Sequence, residues 1–137
     1  MKTLVSFLVI AMLTLTNGLI AQNKTITATV VNVTSDSGKV NFALYNKTNF
    51  MKFPLKSKTS KIINGKSTIV FENLEEGEYA IVCYHDKNDN DKMDFSAARM
   101  PLEDYGSSNN VMAFAPPSYE NAKFMLADKN LSLNIKF

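Results

Sequence analysis

The 137 residues carry 15 basic and 13 acidic side chains, a net charge of +2, with one His, one Cys and no Trp. That balance lacks the basic footprint of a nucleic-acid binder, and a single cysteine excludes an intrachain disulfide framework. Packing, with or without a bound ion, must hold the fold.

The N-terminal stretch MKTLVSFLVIAMLTLTNGLIA places Lys2 ahead of an apolar run at residues 4–15, then small and polar residues, with a cut expected between Ala21 and Gln22. This is the layout of a secretory signal peptide. The run is too short for a spanning helix, and no later stretch approaches the roughly 18 apolar residues such a helix needs. A lipid anchor would require a cysteine beside the cut, whereas the only one is Cys83. The expected product is therefore a secreted or periplasmic protein with residues 22–137 as one domain, free of any membrane span.

Along that domain apolar residues alternate with polar ones, and no window shows helical spacing. TITATVVNVT at 25–34 predicts the first strand and SDSGK at 35–39 a turn. Val40, Phe42 and Leu44 then share one face of a second strand. FMKFPLKSKTS at 50–60 predicts an irregular edge, because Pro54 has no N–H to give a ladder. Ile62 and Ile63, Asn64-Gly65, then Ile69 and Phe71 predict a hairpin, since Asn-Gly accepts the positive φ of a type I′ turn.

After a turn at Gly77, Tyr79, Ile81 and Cys83 alternate with Ala80, Val82 and Tyr84, apolar on both faces as a central strand requires. Little strand pattern follows between His85 and Pro117 except a short piece at 110–115. NLSLNIKF at 130–137 closes the chain with Leu131, Leu133, Ile135 and Phe137 on one face. About seven short strands predict an all-β, antiparallel two-sheet sandwich with one long acidic loop.

That loop is the candidate site. Six of the 13 acidic residues fall within residues 86–104, and long loops in compact domains are usually functional or disordered. Counted from Asp86, oxygen side chains stand at alternate positions: Asp86, Asn88, Asn90 and Asp94, with the Lys92 carbonyl between the last two. That is the front half of an EF-hand-type Ca²⁺ loop, in which a chain curling around a hard cation turns every second group inward. Asp89 would then point outward. The sixth position, normally Gly, is Asp91, and the twelfth, normally a bidentate Glu, is Ala97, leaving Glu103 as the carboxylate to fold back. The competing reading is an Asx-rich turn that caps its own backbone amides.

Other residues offer alternatives. Cys83 and His85 share a strand face, so a thiolate-imidazole dyad or a zinc site is one reading and a core cysteine the other. Tyr105, Phe114 and Tyr119 flank the loop, as a glycan or peptide platform or as cover for the sandwich end.

GEYAIVCYHDKNDNDKMD, PLEDYGSSNN and APPSYENAKFML together resemble a family of small secreted bacterial proteins, the domain of unknown function numbered 2141. The matching positions are Gly77, Tyr79 and Ala80; His85, Asp86, Asn88, Asn90, Lys92 and Asp94; Pro101, Glu103, Tyr105 and Gly106; Ser108, Asn109 and Asn110; and Pro116, Pro117, Ser118, Tyr119 and Ala122. The family pattern has Gly where this chain has Asp91. The resemblance implies an immunoglobulin-like or transthyretin-like sandwich and strengthens the metal reading, but supplies no activity. The expectation is a monomeric, non-catalytic export module with a Ca²⁺-ordered loop, serving a protein or glycan partner of the envelope. A metal-free structural envelope protein is the alternative, and a small zinc- or Cys/His-dependent hydrolase a distant one.

Overall fold

The computed structural model describes residues 23–111 and 114–137. The expected signal peptide lies outside them, as does the middle of the short strand expected at 110–115. Among the described residues no helix is long and apolar enough to cross a membrane.

Among the described residues eight strands form two facing sheets. One contains β1 (Lys24–Val30), β4 (Ser67–Leu74) and β8 (Leu131–Ile135) in the order β4-β1-β8. The other runs β3 (Lys56–Lys61), β2 (Lys39–Tyr45), β5 (Gly77–Asp86), β6 (Tyr105–Ser107), with β7 (Phe124–Leu126) also paired to β5. The strict alternation of buried and half-buried residues along β1 and the first six residues of β2 aims every second side chain between the sheets. There Ile26, Val30, Phe42, Leu44, Phe71, Ile81 and Ile135 are all but sealed from solvent. Burial of each such side chain contributes about 1.5–3 kcal/mol.

The Asn-Gly hairpin forms with Asn64 and Gly65 at φ 52° and 72° and an Ile63–Lys66 bridge. Asp36 completes it from the preceding turn, accepting from the Asn64 and Gly65 N–H groups at 3.1 and 2.9 Å.

Two details are corrected and the strand count is extended. Residues 56–61 are a regular edge strand, because Pro54 stands just ahead of the ladder. Two three-residue strands, β6 and β7, raise the count to eight, since tertiary pairing with β5 recruits segments too short to show alternation. The sheets are also not wholly antiparallel: β8 runs parallel to β1, Ile26 opposite Leu131 through Val30 opposite Ile135. The chain leaves β7 in one sheet and crosses to the other, so it arrives beside β1 pointing the same way. Two asparagines hold its end. Asn32 donates to the Phe137 carbonyl and accepts from its N–H, both at 2.9 Å, and Asn110 does the same to Asn134 O and Lys136 N–H at 2.9 and 2.8 Å.

The outer face of β5 is covered as well. A helical turn, α1 (Tyr119–Ala122), is capped by Ser118 and seals Ala122 beside β5. Ser108 Oγ lies 3.0 Å from the Ile81 N–H it accepts and donates to the Ala122 carbonyl. Asn109 Nδ2 donates to Asn121 O and Lys123 O at 3.0 and 2.7 Å. The Ser-Asn-Asn motif is thus a backbone clamp.

Candidate functional site

The acidic loop leaves the end of β5 at Asp86. Antiparallel register sets Lys39 opposite Asp86 and Asn41 opposite Tyr84, so all four side chains share the outer face of the sheet. Asp86 is fully buried. Its Oδ1 accepts from the Asn90 N–H at 3.0 Å and its Oδ2 from the Asp91 N–H at 2.8 Å and Asn41 Nδ2 at 3.3 Å. A carboxylate in this position curls the chain back on itself, because it is the acceptor for two successive amides.

The curl demands left-handed backbone, and both Asp89 and Asp91 adopt φ 62°. Aspartate visits that region more readily than most residues. The sixth position therefore takes a glycine-like conformation without glycine.

Within the curl, Asn88, Asn90 and Asp94 converge. Asn88 Nδ2 donates to Asp94 Oδ2 at 2.7 Å, and Asn90 Nδ2 sits 3.1 Å from both Asp94 oxygens. The Asn90 Oδ1 accepts from the Lys92 N–H at 2.9 Å, and the Asn88 Oδ1 lies 3.3 Å from the Asn90 N–H. Lys92 itself is exposed.

Glu103 folds back onto the loop and is nearly sealed. Its Oε1 accepts from the Lys87 N–H at 2.9 Å and its Oε2 from the Asp94 N–H at 3.1 Å, tying the loop backbone at both ends. A small hairpin with the bridge Phe95–Pro101 returns the chain from Asp94 to Glu103.

Lys39 was missed by sequence reasoning. Its ammonium lies 2.6 Å from Asp91, 2.8 Å from Asp89 and 3.9 Å from Asp86. Hydrogen bonds to Asp89 and then Asp91 push its pKa up. Nothing in the SDSGK turn announces this role; only the strand register brings residue 39 to residue 86. Asp89 does point away from the curl, toward Lys39. Asp104, also in the loop, pairs with Lys87 at 3.2 Å and accepts from Thr34 Oγ1 at 3.1 Å.

The turn at 35–39 closes the inner side. Gly38 sits at φ 72° so close over the loop base that an added Cβ would stand 2.0 Å from the Asp86 carbonyl oxygen. His85, buried on the opposite face of β5 from Asp86, has Nε2 2.7 Å from the Ser37 carbonyl, so that nitrogen carries the proton.

Cys83 and His85 do share a face. The Cys83 thiol is in the core, donates to Gly106 O at 3.7 Å, and has its pKa pushed up by burial. Its thiolate is thereby disfavoured. Among the described residues no three His, Cys, Asp or Glu side chains are grouped to hold a metal. Of the aromatic candidates, Tyr119 packs edge-on against Phe50 at 5.6 Å and donates to Glu78 at 3.0 Å, while Phe114 is fully exposed.

No curated protein and no solved structure matches this chain. A family model described as an uncharacterized protein conserved in bacteria matches residues 28–134, which span both sheets and the whole loop, and the chain belongs to that family, DUF2141.

Proposed function

We propose that the protein is an exported, non-catalytic binding or accessory module of the cell envelope whose loop at residues 86–103 is ordered by Ca²⁺. The convergence of Asn88, Asn90 and Asp94 carries this reading. Oxygens sharing a Ca²⁺ ion at 2.3–2.6 Å stand about 3 Å apart, and these three side chains already meet through amide N–H donors to the Asp94 carboxylate at 2.7–3.1 Å. A half-turn of either amide aims an oxygen at the shared centre, in exchange for the bond its oxygen now accepts from the Asn90 or Lys92 N–H. Asp86 and the Lys92 carbonyl would complete the set, because a carboxylate oxygen that accepts one N–H keeps a second lone pair. Glu103 supports it by holding the backbone from behind. The ion would supply charge neutralisation and loop order, not chemistry. Against chemistry at Cys83 or His85 stands their complete burial.

Lys39 favours a second reading, a metal-free loop whose cation is its own ammonium. Melting curves in chelator and in millimolar Ca²⁺ separate the two. With a dissociation constant of about 10⁻⁴ M, as in extracellular modules, about 1 mM Ca²⁺ stabilises the fold by roughly 1.4 kcal/mol. That is a rise of about 4–8 °C. Asp94→Asn should abolish the rise, Asp89→Ala should keep it, and Lys39→Gln should enlarge it by removing a competing cation. Superimposed wild-type curves, with Lys39→Gln merely less stable, would establish the metal-free loop instead.

A further inference from the structure

A second surface uses none of the acidic loop's residues, although the Lys61 end of its edge strand borders a cavity that Lys39 and Asp89 also line. Between residues 40 and 71 the chain has six lysines and no acidic residue, so all 13 carboxylates lie outside this stretch of sequence. The centre of this stretch is the connection at residues 46–55 and the edge strand β3. The connection is ordered: Asn46 and Asn49 exchange side-chain-to-backbone hydrogen bonds at 2.9 and 3.1 Å, and the Lys52 and Phe53 N–H groups donate to Asn49 O. Phe50 is wedged edge-on between Tyr45 and Tyr119, at 5.5 and 5.6 Å. With Phe50 anchored inward, Met51, Phe53 and Leu55 face solvent, Phe53 at 79 % exposure and Met51 at 52 %. Exposed Lys47, Lys52 and Lys58 flank them in sequence. Lys56 is turned away and donates to the Glu72 carbonyl.

We infer that this surface docks on an anionic lipid bilayer. Lysines along an edge strand block edge-to-edge pairing, which accounts for Lys58 and Lys61. It accounts for neither Lys47 and Lys52 nor the exposed Phe53 and Met51, which add apolar surface beside an open edge. Ammonium groups interleaved with exposed aromatic and aliphatic side chains match an interface in which phosphates take the charges and the acyl boundary takes the apolar groups. A soluble polyanion would pair with the lysines and leave Phe53 and Met51 in water, so the apolar residues select the bilayer.

The test is co-sedimentation of the exported protein, with its natural N-terminus, on phosphatidylcholine vesicles with and without phosphatidylglycerol. Wild type should sediment with the anionic vesicles and remain in solution with phosphatidylcholine alone. Each lysine neutralised should weaken partitioning about fivefold, so Lys52→Gln with Lys58→Gln should lose roughly thirtyfold. Phe53→Ser should lose about tenfold. All these side chains are exposed, and unchanged melting temperatures would confirm intact folding. Because every variant keeps the same N-terminus, the differences report this surface. Wild type failing to bind anionic vesicles, or binding both vesicle types equally, would overturn the inference. So would full binding by Phe53→Ser together with competition by soluble polyphosphate, which would make the ligand a polyanion.

Discussion

Asp86→Ala removes the acceptor around which the loop curls. Wild-type Asp86 accepts from two backbone amides, at 3.0 and 2.8 Å, and from Asn41 at 3.3 Å, inside a fully buried environment. Hydrogen bonds to a charged acceptor are worth about 1.5–3 kcal/mol each, so the two amide bonds set a ceiling near 6 kcal/mol. Asn90 and Asp91 are themselves exposed, so their N–H groups regain water when the carboxylate is gone, and about half the ceiling should survive. The expected loss is about 2–4 kcal/mol in metal-free buffer, measured by urea denaturation with an unchanged m-value. Against a total stability of roughly 5–15 kcal/mol, that leaves a folded but weakened protein. Amide exchange localises the effect: the Asn90 and Asp91 N–H groups should lose protection first, ahead of core amides such as Phe42. Asp86→Asn, which keeps one carbonyl acceptor, should lose less than Asp86→Ala. A cost below about 0.5 kcal/mol for the alanine variant, or uniform deprotection across the domain, would refute the claim that Asp86 organises the loop.

Gly38→Ala should cost about 3 kcal/mol or more, because the methyl meets a backbone oxygen at 2.0 Å and alanine is strained at φ 72°; a urea midpoint within error of wild type would contradict the close approach. Cys83 should resist thiol reagents in native buffer and react only after denaturation, since burial raises its pKa and shields the sulfur; rapid native labelling would restore the dyad reading. Tyr119 has its pKa pushed up from 10.0 to about 12, first by desolvation and then by the Glu78 carboxylate. The folded state therefore holds that proton more tightly than the unfolded one, so its contribution is complete below pH 10 and is lost between pH 10 and about 12. Denaturation midpoints across that range should fall, and less steeply in Tyr119→Phe; equal slopes would refute the assignment.

Alternation of apolar residues was sufficient to identify β1, β2, β4, β5 and β8, because a strand buried on one face imposes a two-residue period on its own sequence. The Asn64-Gly65 hairpin was equally visible, since few residue pairs accept positive φ at both positions. Alternation does not encode the partner. The parallel pairing of β8 with β1 and the recruitment of β6 and β7 depend on contacts between residues as much as 105 positions apart, and a three-residue strand is too short to show a period. In the loop, the spacing of Asp86, Asn88, Asn90 and Asp94 predicted side chains turned to one side; the structure joins Asn88, Asn90 and Asp94 by side-chain hydrogen bonds, while Asp86 holds the backbone amides of Asn90 and Asp91. What the spacing could not contain was the register that carries Lys39 to Asp86, the return of Glu103 to the amides of Lys87 and Asp94, and the Gly38 backbone closing over the loop base. Those are tertiary facts: each joins residues from different strands or loops, and the energy that selects them comes from satisfying buried polar groups, which local sequence does not specify.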